Sequence, residues 1–371
     1  MERVLEETEW MGKRAVSYCD NADANFGILA RDEQIAEAFA KTKEKYGFPE
    51  RMRTSFAKYS NVQIAERVFR IAKILHKSDQ LKAVTLALQS TNDQTLVDIK
   101  RKNIAMDGFK ELQDRYKAEG IPTYTELIIG LPGETYESFR AGLDRVLDSG
   151  QHTNLFCYLC SILPNSEMAN PEYRKIHGIR SVDMQAMLTH GTPTDGVPIE
   201  RQETTVATKT MNQHDWWKCY MLAWMIQVCH SFGLTQWWAK QERAKGKPYT
   251  RFYEELSLGA ALKDGAAVIG KVWHKTDRLL QNAVDGGSWN NVLPKWGDIS
   301  WPPDEGGFLE IVDELDRFYD ELESFFDMPK EQRQHGPPKC PKGKEIEYAK
   351  CVWYSRRGDF EKAIKEVVDG N

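Results

Sequence analysis

Residues 125–135 read TELIIGLPGET. An apolar run from Tyr124 to Ile129 stops at a turn punctuated by Gly130, Pro132 and Gly133. Bounded runs of this kind read as strands. Its near-continuous apolar character fits a parallel strand covered on both faces. Glu126 sits inside that run, and a carboxylate taken out of water needs a partner. The question is what such a residue does there.

Strands and helices alternate on both sides of this stretch. Ala15 to Cys19 reads as a short strand, and Asp32 is placed to cap a helix bearing Ile35 and Phe39, stopped by Gly47 and Pro49. Arg53 to Ala57 is a second strand. Ile64, Val68, Ile71 and Leu75 keep helical spacing after Asn61. Ala83 to Leu88 is a strand, followed by a helix with Phe109, Leu112 and Tyr116. The Tyr124 strand leads into a helix with Phe139, Leu143 and Leu147, and Asn154 to Ile162 is a further strand. Repeated βαβ units predict a parallel sheet with ligands beyond the carboxyl ends of the strands. Polar turns stand at those ends: NADANFG, QSTN, GLPGET and LPNSEM. Turn formation alone accounts for any one of them. Four at matching strand ends, with Glu126 inside a strand, point to a ligand.

The alternation breaks near Ser181. Arg201 to Lys209 reads as a strand, Trp216 to Phe232 as an apolar helix capped by Asn212, and Phe308 to Leu322 as one more helix. The chain has 371 residues, 41% of them apolar, and a net charge of −5. That balance argues against a nucleic-acid partner, which wants a basic face. No run of 18 apolar residues predicts a membrane span. Seven scattered cysteines predict reduced thiols in a cytoplasmic protein. Cys157 and Cys160, in CYLC, fall within a strand, where i and i+3 face opposite sides, so core packing is the simpler reading. His335, Cys340 and Cys351 are too few and too loosely spaced for a zinc site. Most of the eleven tryptophans lie between Trp216 and Trp301, either closing a core or flooring a flat ligand.

Residues 2–32, 86–104, 120–139 and 158–173 together resemble the radical S-adenosylmethionine superfamily, in the branch often associated with an N-terminal cobalamin-binding domain. The likeness covers roughly residues 2–181 and runs on more weakly through residues 200–216 and 296–326. It implies an α/β fold: a partial (β/α)6 TIM-like barrel lacking its first strand, then a mostly helical, Trp-rich C-terminal extension. The expected divisions are 1–180 for the barrel core, 181–328 for a barrel-closing substrate region, and 329–371 for a surface tail with a terminal helix.

The resemblance also implies S-adenosylmethionine, a [4Fe-4S] cluster and, in some members, cobalamin. Partners would be a small-molecule or biosynthetic-intermediate substrate and an electron donor such as flavodoxin or ferredoxin. The superfamily hallmark CxxxCxxC is absent, since no three cysteines here have that spacing. The chain is therefore expected to start after the cluster loop. By resemblance, Asn21, Asp23 and Asn25 stand where the superfamily contacts the methionine amino group. Gln89 and Ser90 stand at the ribose or carboxylate, and Arg101 at the methionine carboxylate. Glu126 would point into a polar lumen, Gly130 would let backbone approach the adenosine, and Leu163, Pro164 and Asn165 would flank the adenine. An internal ion pair of Glu126 with Arg101 or Lys58 is the competing account. The leading function the resemblance implies is radical chemistry with S-adenosylmethionine and a [4Fe-4S] cluster, of which cobalamin-dependent methyl transfer is one form. A split-enzyme or non-catalytic subunit, and an ordinary barrel enzyme acting on a phosphorylated substrate, are the alternatives.

Overall fold

The computed structural model describes residues 1–57, 62–194, 196–262 and 267–325, with side chains described to residue 322. The expected tail, Lys58, His335, Cys340 and Cys351 lie outside the described residues. The chain divides into two compact units. The first is Met1–Leu127 with Arg145–Phe156, and the second is Ile128–Asp144 with Cys157 onward. Residue 180, where a functional division is expected, falls inside the second unit.

The first unit begins with α1 (Glu2–Lys13), β1 (Tyr18–Phe26), α2 (Arg31–Tyr46), β2 (Arg51–Phe56), α3 (Val62–Lys77) and β3 (Val84–Thr85). Then come α4 (Asp93–Asp98), α5 (Met106–Ala118) and β4 (Thr123–Ile129), whose last two residues belong to the second unit. β1 pairs with β2 in parallel, and β3 pairs with β4 in parallel from Val84 opposite Thr123. α3 buries Val68, Ile71, Ala72 and Leu75, the stripe its spacing predicts. Val68, Ile71 and Leu75 each contribute roughly 1.5–3 kcal/mol when fully covered. At the end of β1 the backbone passes so close to α3 that a Cβ on Gly27, at φ +100°, would lie 2.7 Å from Val68 Cγ2.

β1 differs from the strand expected at Ala15–Cys19. It starts later and runs through the NADAN turn, with its register broken between Asn21 and Phe26. The turn residues bond to one another and sit within the strand as an irregularity, so turn chemistry and strand coexist there.

The remaining elements are α6 (Tyr136–Asp148), β5 (Leu155–Leu159), α7 (Pro171–His177), β6 (Arg180–Gln185), β7 (Arg201–Ala207) and α8 (Gln213–Met225). They are followed by α9 (Gln236–Ala244), α10 (Tyr249–Leu262), α11 (Val268–Val284), α12 (Pro303–Asp313) and α13 (Leu315–Phe325). β5 stands beside β4. In the second unit its continuation pairs with β7: Ile162 N–H donates to Glu203 O and Thr205 N–H to Cys160 O. β7 also pairs antiparallel with β6, a strand the sequence reading passed over. α8 runs on as a π-helical segment, Ile226–Ser231, so the apolar helix expected from Trp216 to Phe232 is continuous but changes pitch. The single helix expected across Phe308–Leu322 is two, broken at Glu314. Trp216, Trp224, Trp301 and Phe318 are all buried in this unit. No described helix is long and apolar enough to cross a membrane.

Candidate functional site

The residues expected at the site divide between the two units. Asn21, Asp23, Asn25, Gln89, Ser90, Arg101 and Glu126 lie in the first, and Gly130, Leu163, Pro164 and Asn165 in the second.

In the first unit, the turn in β1 is held by its own side chains. Asn21 Oδ1 accepts from Asp23 N–H at 3.1 Å, and Asp23 Oδ1 accepts from Asn25 N–H at 2.8 Å. Asn21 Nδ2 also donates to Thr54 Oγ1 at 3.3 Å. These are Asx turns, the local bonding that short polar side chains offer the backbone. They engage Asn21 Oδ1 and one carboxylate oxygen of Asp23, while Asp23 and Asn25 remain exposed. Behind the turn, the buried carboxylate of Asp32 accepts from Gly27 and Leu29 N–H groups, and Arg67 donates to the carbonyls of Gly27 and Ile28. Asp32 therefore ties the loop to the start of α2 rather than capping that helix in the usual sense, because the N-cap position is Ala30.

The end of β3 is the most organised part of this unit. Leu88 and Gln89 N–H groups both reach Glu126 O, at 3.2 and 2.9 Å. Gln89 then takes φ +62°, a left-handed conformation costly for a residue with a long side chain. Ser90 is buried, and its Oγ accepts from Asn92 N–H. Asn92 caps α4 by accepting from Thr95 N–H at 2.8 Å. α4 ends with Lys100 at φ +53°, and Arg101 N–H reaches back to Leu96 O. This is a Schellman-type stop with lysine where glycine is usual.

That stop turns Arg101 toward β3. Its Nη2 donates to Ala87 O at 2.7 Å and its Nε to Asn103 Oδ1 at 2.9 Å. Asn103 Nδ2 in turn donates to both Leu88 O and Ser90 O, each at 2.7 Å. Sequence reading missed Asn103, although it lies two residues past Arg101. The one signal was its residue type, since an amide can donate to carbonyls and accept from a guanidinium at once.

Arg101 and Glu126 are both half-buried and act on one another electrostatically. Burial pushes the Glu126 carboxyl above its ordinary value, and the Arg101 charge opposes that shift. Burial lowers the Arg101 guanidinium, and Glu126 opposes that in turn. Glu126 shares its strand face with Tyr124, whose ring meets Phe156 edge-on at 6.1 Å. The opposite face, Thr125 and Leu127, is fully buried.

In the second unit, Gly130 has φ +93°, and a Cβ there would lie 3.2 Å from Thr205 O and 3.2 Å from Trp216 Cδ1. The glycine thus admits β7 and α8 to the strand end. Beyond it, Thr135 and Ser138 bond reciprocally, backbone N–H to partner hydroxyl, at 2.9 and 3.0 Å. This is a capping box with serine in place of the usual Glu or Gln. The Glu134 carboxylate accepts from Ser138 Oγ. Leu163, Pro164 and Asn165 form an exposed turn, with Leu163 66% exposed and Asn165 at φ +63°. Cys157 and Cys160 are free thiols, pushed up by burial to about 12 and about 11. Cys160 Sγ lies 3.9 Å from Met168 Sδ. Cys160 is buried, as core packing predicts, whereas Cys157 is only half-buried.

No family model matches the chain. It is 35% identical over 341 residues to the cobalamin-dependent radical SAM methyltransferase TokK of Streptomyces tokunonensis, covering 87% of this chain and 49% of that protein. It is 34% identical over 339 residues to a 2-(S-pantetheinyl)-carbapenam-3-carboxylate methyltransferase of Streptantibioticus cattleyicolor, with the same two coverages. The chain spans about half the length of the curated relatives it matches. Among solved structures, the radical S-adenosylmethionine methyltransferase TsrM of Kitasatospora setae aligns in two forms. With tryptophan substrate and a SAM analogue bound, it gives a TM-score of 0.42 at 15% identity, over 60% of this chain and 45% of that one. With cobalamin and a [4Fe-4S] cluster bound, it gives 0.38 at 17%, over 48% and 33%. Overlaps of that size do not decide the fold. The sequence matches do decide the relationship: this chain is homologous, along 87% of its residues, to the cobalamin-dependent methyltransferases of the radical S-adenosylmethionine superfamily.

Proposed function

We propose that this chain forms the S-adenosylmethionine-binding part of a cobalamin-dependent radical methyltransferase acting on a small-molecule biosynthetic intermediate. The observation that carries this reading is the identity of 35% and 34% to two methyltransferases across nearly the whole chain. The bonded network at the end of β3 supports it. In this reading the strands belong to a (β/α) barrel, and the polar strand ends face the ligand.

S-adenosylmethionine fits the donor set. It carries a carboxylate, an ammonium and a sulfonium, and it supplies the methyl group and the source of the radical when bound. Arg101 offers a guanidinium suited to the carboxylate, and Glu126 a half-buried carboxylate suited to positive charge. Gln89 and Ser90 lie beside them on the ribose or carboxylate side. The turn of Asn21, Asp23 and Asn25 meets the amino group with the second carboxylate oxygen of Asp23 and the exposed amide oxygen of Asn25, since Asn21 Oδ1 and Asp23 Oδ1 already bond within the turn. Gly130, Leu163, Pro164 and Asn165 serve the adenosine and adenine.

The iron–sulfur cluster does not fit the residues of this chain. Its seven cysteines hold no CxxxCxxC. Among the described residues no three His, Cys, Asp or Glu side chains gather into a metal-binding group. The raised thiols of Cys157 and Cys160 are poor sources of thiolate. That misfit also favours a second reading, a subunit whose cluster ligands come from other residues of the enzyme. Flavodoxin or ferredoxin would be the electron donor to the whole enzyme.

Titration calorimetry of the full chain with S-adenosylmethionine tests the proposal. Saturable binding that the Arg101→Met and Glu126→Ala variants weaken is expected. A wild-type chain that folds and binds no S-adenosylmethionine overturns it.

A further inference from the structure

The Arg101 guanidinium has two edges able to donate in pairs. The edge formed by Nε and Nη2 is taken: Nε donates to Asn103 Oδ1 and Nη2 to Ala87 O. The terminal edge, Nη1 with the second proton of Nη2, makes no hydrogen bond among the described residues, and Glu126 acts on the group only through its charge. A carboxylate prefers two parallel bonds from one edge of a guanidinium. Fixing one edge therefore decides where the other points.

Asn103 does the fixing. Its Nδ2 is anchored on Leu88 O and Ser90 O, the carbonyls on either side of the left-handed residue Gln89. One amide thus joins the guanidinium to the strand-end turn as a single rigid unit.

We propose that Asn103 is a positioning residue, which holds the free edge of Arg101 toward the carboxylate of S-adenosylmethionine and keeps it in register with Gln89. This rests on the functional reading above. Without Asn103, the side chain of Arg101 is released to swing onto Glu126, its electrostatic neighbour, and the carboxylate loses a preorganised partner.

The test compares two probes on the full chain by titration calorimetry: S-adenosylmethionine and its decarboxylated analogue. The wild type is expected to favour the carboxylate-bearing probe by about tenfold or more, a difference near 1.4 kcal/mol. Arg101→Met should abolish that preference. Asn103→Ala should reduce it several-fold, with affinity for S-adenosylmethionine falling by more than affinity for the decarboxylated analogue, a pattern that general loosening of the fold, which weakens both probes alike, would not produce. Far-UV circular dichroism checks folding, and Asn103→Ser is read in the same way if the alanine variant does not fold. An Asn103 variant that is folded and keeps the wild-type preference overturns the proposal. So does a wild type that binds both probes equally, which would leave S-adenosylmethionine binding intact. A wild type that binds neither probe refutes the functional reading itself, and this inference with it.

Discussion

Glu126 shows how much one side chain in a strand discloses. Its carboxyl is raised above its ordinary value of 4.5, mainly by burial. Below that value both folded and unfolded chains are protonated there, and the residue costs nothing. As pH rises, the unfolded chain ionises first, so folding loses stability until the higher folded value is passed, and the full cost persists above it. Glu126→Gln should therefore raise the melting temperature at about pH 7 and leave it unchanged near pH 3.5. Thermal denaturation followed by circular dichroism at both values checks this. Lys100 is exposed at φ +53°, where glycine is cheaper. Lys100→Gly should stabilise the chain by about 0.5–1 kcal/mol in urea denaturation, since the left-handed penalty at a helix stop outweighs the added freedom of the unfolded chain.

At the scale of elements, the turn after β4 is built twice over. Gly130 makes room for β7 and α8, and the Thr135–Ser138 box starts α6. Gly130→Ala should cost about 1–3 kcal/mol, because the new methyl meets backbone and an indole at a left-handed φ. Thr135→Ala should cost about 1 kcal/mol, the usual value of a lost N-cap. Denaturant titrations of both variants measure these differences. The turn in β1 teaches a related point. The resemblance implies ligand contacts for its Asn and Asp residues, yet two of their side-chain oxygens serve backbone N–H groups of the same turn. Residue type alone does not separate those uses, because an Asx turn and a ligand contact ask for the same short polar side chain.

At the scale of the whole molecule, the chain matches about half the length of its methyltransferase relatives and carries no cluster motif. The chain by itself should therefore yield no 5′-deoxyadenosine after anaerobic reconstitution with iron and sulfide and reduction by dithionite. Chromatography of the quenched mixture checks this, and product at turnover levels would show that cluster ligands exist outside the superfamily pattern.

The sequence by itself determined the alternation of strands and helices from β1 to β5, the family resemblance, and the polar strand ends. Those signals are local, since apolar period, turn residues and caps act over a few positions. Glu126 stood out by its place inside a strand, and Arg101 through the family resemblance. Only the tertiary structure decided that the two interact, that Asn103 pins one edge of the guanidinium, and that Gly130 faces Trp216. It also supplied β6, whose pairing with β7 crosses a long loop, and the break between α12 and α13. The physical reason is common to all of these. A hydrogen bond or a close approach between residues distant in the chain depends on where the backbone carries them, and no short window of sequence contains both partners.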